Sequence, residues 1–122
     1  MKAVTTLFRP VGARELELIR QSGFTAFPPR LTGQPIFYPV LEEDYAVQIA
    51  RDWNTRDSRS EYVGFVLRFR VNSEFLNRYE IHEVGGKTRR EYWVPAEDLS
   101  EFNSNIVGKI EIVREFRPRA RA

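Results

Sequence analysis

Cysteine is absent from the sequence, and His82 is its single histidine. A disulfide framework and thiolate metal sites are therefore excluded, and no cluster of histidines can build a zinc site. No apolar run approaches the roughly 20 residues needed to cross a bilayer, and the first residues carry no apolar signal-peptide core. A cytoplasmic protein without a membrane partner is expected. Lysine is scarce too: of 19 basic side chains only Lys2, Lys87 and Lys109 are lysines, the rest being arginines. Arginine favours planar recognition of phosphates and carboxylates, but here the bases are scattered among 17 acids, for a net charge of +2, which is no nucleic-acid signature. There is no internal repeat, no low-complexity segment, and no Walker-type or dinucleotide glycine motif; Gly85-Gly86 alone marks a turn.

What is present is the balance of a globular domain: 42% hydrophobic, 13% aromatic and 30% charged residues over 122 positions. That length supports one core, so residues 1–116 are read as a single domain followed by an Arg-rich, frayed tail at 117–122. Nine Phe, five Tyr and two Trp must supply much of the packing.

Along the chain, Val4 to Arg9 is β-branched and aromatic and predicts a first strand ending at Arg9, before Pro10 and Gly12. A helix over 13–22 follows, with Leu16 and Ile19 on its apolar side and Gly23 as its stop. Residues 24–35 are too rich in Pro and Gly for regular structure. Ile36-Phe37-Tyr38 reads as a brief strand, and 42–53 as a helix with an acidic first turn and a stripe of Ala46, Ile49, Ala50 and Trp53. From Tyr62 to Val71 the odd positions, Val63 to Val71, alternate as core against Tyr62, Gly64, Val66, Arg68 and Arg70. Ser73 is placed to cap a short helical turn. Tyr79–Val84 and Arg89–Val94 flank Gly85-Gly86 as a hairpin. A helix over 96–104 with Leu99, Phe102 and Ile106 as its stripe is stopped by Gly108, and Lys109–Phe116 is the last strand. The pattern is α+β: two small packed, mostly antiparallel sheets with about three helices, at residues 13–22, 42–53 and 96–104.

The chemistry concentrates in Arg89 to Leu99. Side chains alternate along a strand, so Tyr92 and Val94 can share a buried face while Glu91 and Trp93 look the other way, placing a carboxylate beside an indole. His82 reads as a strand surface residue, and Lys87-Thr88-Arg89-Arg90 as a solvated hairpin tip.

The order of elements, with Leu7-Phe8-Arg9 ending a first strand, Ile36-Phe37-Tyr38 before a helix and Glu91-Tyr92-Trp93-Val94 opening a late strand, resembles the ADP-ribosyltransferase superfamily. The Glu-Tyr run is similar to the one carrying the catalytic Glu in the diphtheria-toxin-like and poly-ADP-ribose-polymerase branches. The resemblance implies NAD as substrate, no metal, Glu91 as catalytic residue, and Arg9, Phe37, Tyr38 and Trp93 as cofactor-binding residues of one cleft. The acceptor, protein or nucleic acid, is left open, as is the oligomeric state. Breaking the nicotinamide bond passes through an oxocarbenium-like ribose, which a carboxylate stabilises. Two departures stand out. Arg9 is followed by Pro10 where those two branches have His-Gly, and the Ser-Thr-Ser of the Arg-containing branch is missing. They motivate an alternative: a catalytically inactive nucleotide- or protein-binding module of the same fold.

Overall fold

A computed structural model of the chain describes residues 2–118; residues 119–122, most of the expected frayed tail, lie outside the described part. The fold is α+β, with all strand pairs antiparallel. Strand β1 (Val4–Val11) pairs with β3 (Gly64–Asn72), which pairs on its other side with β7 (Ile106–Phe116). The hairpin forms with strands shorter than read, β4 (Ile81–Glu83) against β5 (Arg90–Tyr92), with Gly86 at φ 107° in the turn. Two short strands, β2 (Ile36–Phe37) and β6 (Val94–Pro95), make a further pair. The same register continues past them: Tyr92 N–H donates to Pro39 O and Leu41 N–H to Arg90 O, both at 3.0 Å. Val40 then stitches the parts together. Its N–H and C=O bond Phe8 at 2.8 Å each, and on its other side it bridges Glu91.

The first strand runs on through Pro10 to Val11 instead of ending at Arg9. Phe8 directs its backbone polar groups to Val40, away from β3. Pro10, two residues on, turns its donor-less nitrogen to that same side, so no bond to β3 is lost.

Helix α1 (Ala13–Gln21) ends as predicted: Gly23 N–H donates to Arg20 O and Phe24 N–H to Ile19 O, with Gly23 at φ 77°. This is the Schellman arrangement, which needs a left-handed residue just past the helix. Helix α2 (Glu43–Asp52) buries Ala46 and Ala50, but Trp53 lies past its end and is 73% exposed, so the apolar stripe stops one turn earlier than its spacing implied. Helix α3 (Ser73–Leu76) is not capped by Ser73, whose hydroxyl instead meets that of Thr5 at 2.6 Å. A 3-10 turn at Ala96–Asp98 leads into α4 (Leu99–Ser104). Ile106 and Gly108, read as the end of that helix, belong to β7; Gly108 sits at φ 78° where the β3–β7 register shifts, a bulge position that favours glycine.

Apolar side chains fill both faces of β3. On one face Leu67, Phe69 and Val71 join Leu7, Ile19, Phe27, Phe37, Tyr92, Val94 and Phe102 in the main core. Its centre is aromatic, Phe27 lying 4.8 Å from Phe69 and 5.0 Å from Phe37 between ring centroids. On the other face Val66, expected outside the core, is fully buried under α2 with Val40, Ala46 and Ala50. Gly64 belongs to this contact, because a Cβ there would run into the backbone of Ala50. The strand begins at Gly64 and not Tyr62, since Glu61 and Tyr62 take positive φ of 56° and 60° in the turn before it. In β7, Ile110 is buried while Ile112 is exposed and Val113 packs beneath α2. The register shifts account for the broken alternation.

Candidate functional site

Strand alternation decides what Glu91 can meet. Tyr92 and Val94 enter the main core, so Glu91 and Trp93 emerge on the opposite face of the sheet, the face that α2 covers beside them. There Tyr45 of α2 donates its hydroxyl to Glu91 Oε2 at 3.2 Å, and Trp93 Nε1–H donates to Glu91 Oε1 at 2.8 Å. Both carboxylate oxygens are thus aimed by a donor while keeping lone pairs free. Burial, followed by the Glu91 charge, pushes the Tyr45 phenol up from its ordinary pKa, so it stays a donor at neutral pH.

Three aromatic rings cluster beside this carboxylate, with Trp93 at their centre. His82 stands opposite Glu91 in the hairpin and stacks on Trp93, ring centroids 3.7 Å apart and planes 7° from parallel. Tyr38 meets Trp93 edge-on at 6.3 Å. Tyr38 and Trp93 are 40% and 42% exposed, so both rings keep some surface at the solvent although His82 covers one face of Trp93. Glu42 fixes the frame from behind, accepting from the Arg90 N–H and from Arg90 Nε, each at 2.8 Å, which ties the start of α2 to β5. Arg90 is accordingly anchored and is not part of a solvated tip. Next to Tyr45 a shallow concavity of about 500 Å³ is lined by Glu42, Glu43, Asp44, Thr88 and Arg89. Among the described residues no group of His, Cys, Asp and Glu could hold a metal ion, and no helix is long and apolar enough to cross a membrane.

The five residues expected in one cleft divide between the two faces. Glu91, Tyr38 and Trp93 come together. Arg9 and Phe37 do not join them: Phe37 pairs with Val94 and points with it into the main core, and the Arg9 guanidinium lies over the Phe37 ring, 4.6 Å from its centroid. Arg9 is 9% exposed and doubly bound to Glu15 of α1, Nε to Oε2 at 2.7 Å and Nη2 to Oε1 at 3.0 Å. The reason is parity. Phe8, Val40 and Glu91 occupy one row across the sheet, and directly opposed residues share a face, so Arg9, one step along β1, must take the other. No family model, curated protein or solved structure matches the chain.

Tyr45 and His82 join the site without being among the five residues expected there. For His82 a signal existed: counting back from the Gly85-Gly86 turn places it across from Glu91. The Tyr45-Ala46 helix after Ile36-Phe37-Tyr38 belongs to the element order behind the resemblance, but the Tyr45 hydroxyl reaches Glu91 only because α2 folds over the sheet.

Proposed function

We propose that the Glu91 face binds NAD or a related nucleotide and that Glu91 supports transfer of ADP-ribose to an acceptor, in the manner of the ADP-ribosyltransferases the sequence resembles. One observation carries this reading: a carboxylate held by two donors beside a cluster of three partly exposed aromatic rings. In this proposal the nicotinamide ring stacks against Tyr38 or Trp93, a ribose hydroxyl donates to Glu91, and the carboxylate's charge balances the positive ribose as the glycosidic bond to nicotinamide breaks. Neutral nicotinamide leaves, and the acceptor's nucleophile then closes on the ribose carbon and loses its proton to water. Tyr45 and Trp93 hold the carboxylate in place and carry no proton in this scheme. Arg9 and Phe37 have no role at this face.

A second reading has its own support. Arg9, the side chain expected to grip ribose or pyrophosphate, is saturated by Glu15 and turned into the core. Without Arg9 to hold the phosphates, the same face on this reading binds a nucleotide-like or protein ligand and does not turn it over. Calorimetry with NAD, ADP-ribose and nicotinamide, run beside nicotinamide release, separates the two. On the enzymatic reading NAD binds saturably and Glu91→Gln lowers release by roughly 10²-fold or more with thermal unfolding unchanged. Binding without release selects the inactive module; saturable affinity for none of the three ligands removes the nucleotide reading in both forms.

A further inference from the structure

The opposite face of the sheet carries a second cleft, between the start of α1 and the proline loop at residues 28–34. It encloses about 330 Å³ and is lined by four arginines, Arg9, Arg14, Arg30 and Arg59, against two carboxylates, Glu15 and Asp57. The carboxylates are taken: Glu15 by Arg9 at 2.7 Å and Asp57 by Arg59 at 3.4 Å. Among the described residues, Arg14 and Arg30 have no carboxylate within 4.0 Å.

Arg30 matters most. It is half-buried, lines the cleft and spends Nε on the carbonyl of Ile36 at 3.1 Å, which leaves its two terminal nitrogens without a hydrogen bond among the described residues. Burial first, and the neighbouring Arg9 charge second, pull its pKa below the ordinary arginine value, so the fold places this cation where its charge is poorly compensated. Partly desolvated, unpaired charge is costly unless a counter-charge arrives. The start of α1 adds to the same field. Gly12 is its N-cap and offers no side chain, so the first helical amides lack a side-chain cap, and Gly12, Arg14 and Glu15 all line the cleft. A nine-residue helix directs partial positive charge there. Pro28, Pro29 and Leu31 add an apolar wall for the rest of a ligand.

We infer that this cleft binds a small phosphorylated molecule, its phosphate held by Arg14, Arg30 and the first amides of α1 and its body against the wall of Pro28, Pro29 and Leu31. The volume is at the low end of the ~300–1,000 Å³ typical of ligand pockets, which suits a sugar phosphate better than a dinucleotide. The site is independent of the Glu91 face and does not rest on the reading given for it.

Ribose 5-phosphate, inorganic phosphate and ribose serve as probes, titrated by calorimetry into wild type, Arg14→Gln, Arg30→Gln and, as a control far from the cleft, Arg78→Gln. Ribose 5-phosphate binds saturably to wild type and to Arg78→Gln, phosphate binds more weakly, and ribose does not bind. Arg14→Gln and Arg30→Gln each weaken ribose 5-phosphate at least about tenfold, the scale of one lost charged contact. Arg14 is exposed, so its variant carries the test even if Arg30→Gln fails to fold. The proposal is overturned if ribose binds as well as its phosphate, if the Arg14 variant binds like wild type, or if no saturation is reached by about 10 mM.

Discussion

Tyr79 shows how a single polar contact links this fold to pH. Its hydroxyl donates to Asp98 Oδ2 at 2.8 Å, and burial, reinforced by that bond and the Asp98 charge, pushes the phenol well above its ordinary value. Tyr45 and Tyr92 are raised too, chiefly by burial. A raised phenol pKa means the folded chain holds the proton more tightly than the unfolded one, whose tyrosines titrate near about 10. The stabilisation is therefore complete below about pH 10 and is lost as pH climbs toward the folded-state value. Urea unfolding at successive alkaline pH values should show this decline, and Tyr79→Phe should flatten it while costing about 1 kcal/mol at neutral pH. An identical alkaline slope in the variant would disconnect Tyr79 from the effect.

Among the elements, the long irregular stretch after α1 raises the question of what holds it. Asn103 of α4 answers it by clamping both backbone groups of Phe27: its Oδ1 accepts the Phe27 N–H and its Nδ2 donates to the Phe27 carbonyl, each at 2.9 Å. The Phe27 ring then packs among Phe37, Phe69 and Phe102. A six-residue helix thereby organises the loop that walls the arginine cleft. Asn103→Ala should cost about 2 kcal/mol, two hydrogen bonds at about 1 each. Amide exchange over residues 24–35 should speed up more than exchange in β3. If the acceleration is uniform across the chain, the loop depends on the whole core and not on this clamp.

Seen as a whole, the molecule is a sheet with apolar packing on both faces, one deep and aromatic, the other a thin layer under α2. This arrangement makes a quantitative claim about β3. Leu67→Ala empties part of the main core and should cost about 2–5 kcal/mol, whereas Val66→Ala, on the face read from sequence as outside the core, should still cost about 1.5–3 kcal/mol. Equilibrium urea denaturation with both far-UV and tyrosine signals checks it. A Val66→Ala protein as stable as wild type would mean that α2 is not part of the cooperative unit.

The sequence by itself determined the local periods. Alternation around Glu91 and through β3, the hairpin at Gly85-Gly86 and the Schellman end at Gly23 are set by backbone geometry within a few residues, so they are legible from residue order alone. The tertiary structure decided which faces meet. Pro10 fails to stop β1 because its nitrogen points away from β3, Val66 is buried because α2 lies across it, and Trp53 is exposed because α2 ends before it. The same reason divides the expected cleft. Glu91, Tyr38 and Trp93 share a surface, yet a one-residue step in β1 puts Arg9 on the far side, and Tyr45 joins Glu91 only through contact between segments 46 residues apart. Periodicity reports that a strand has two sides. It takes long-range pairing, through Phe8, Val40 and Glu91, to say which side of one strand continues into which side of the next.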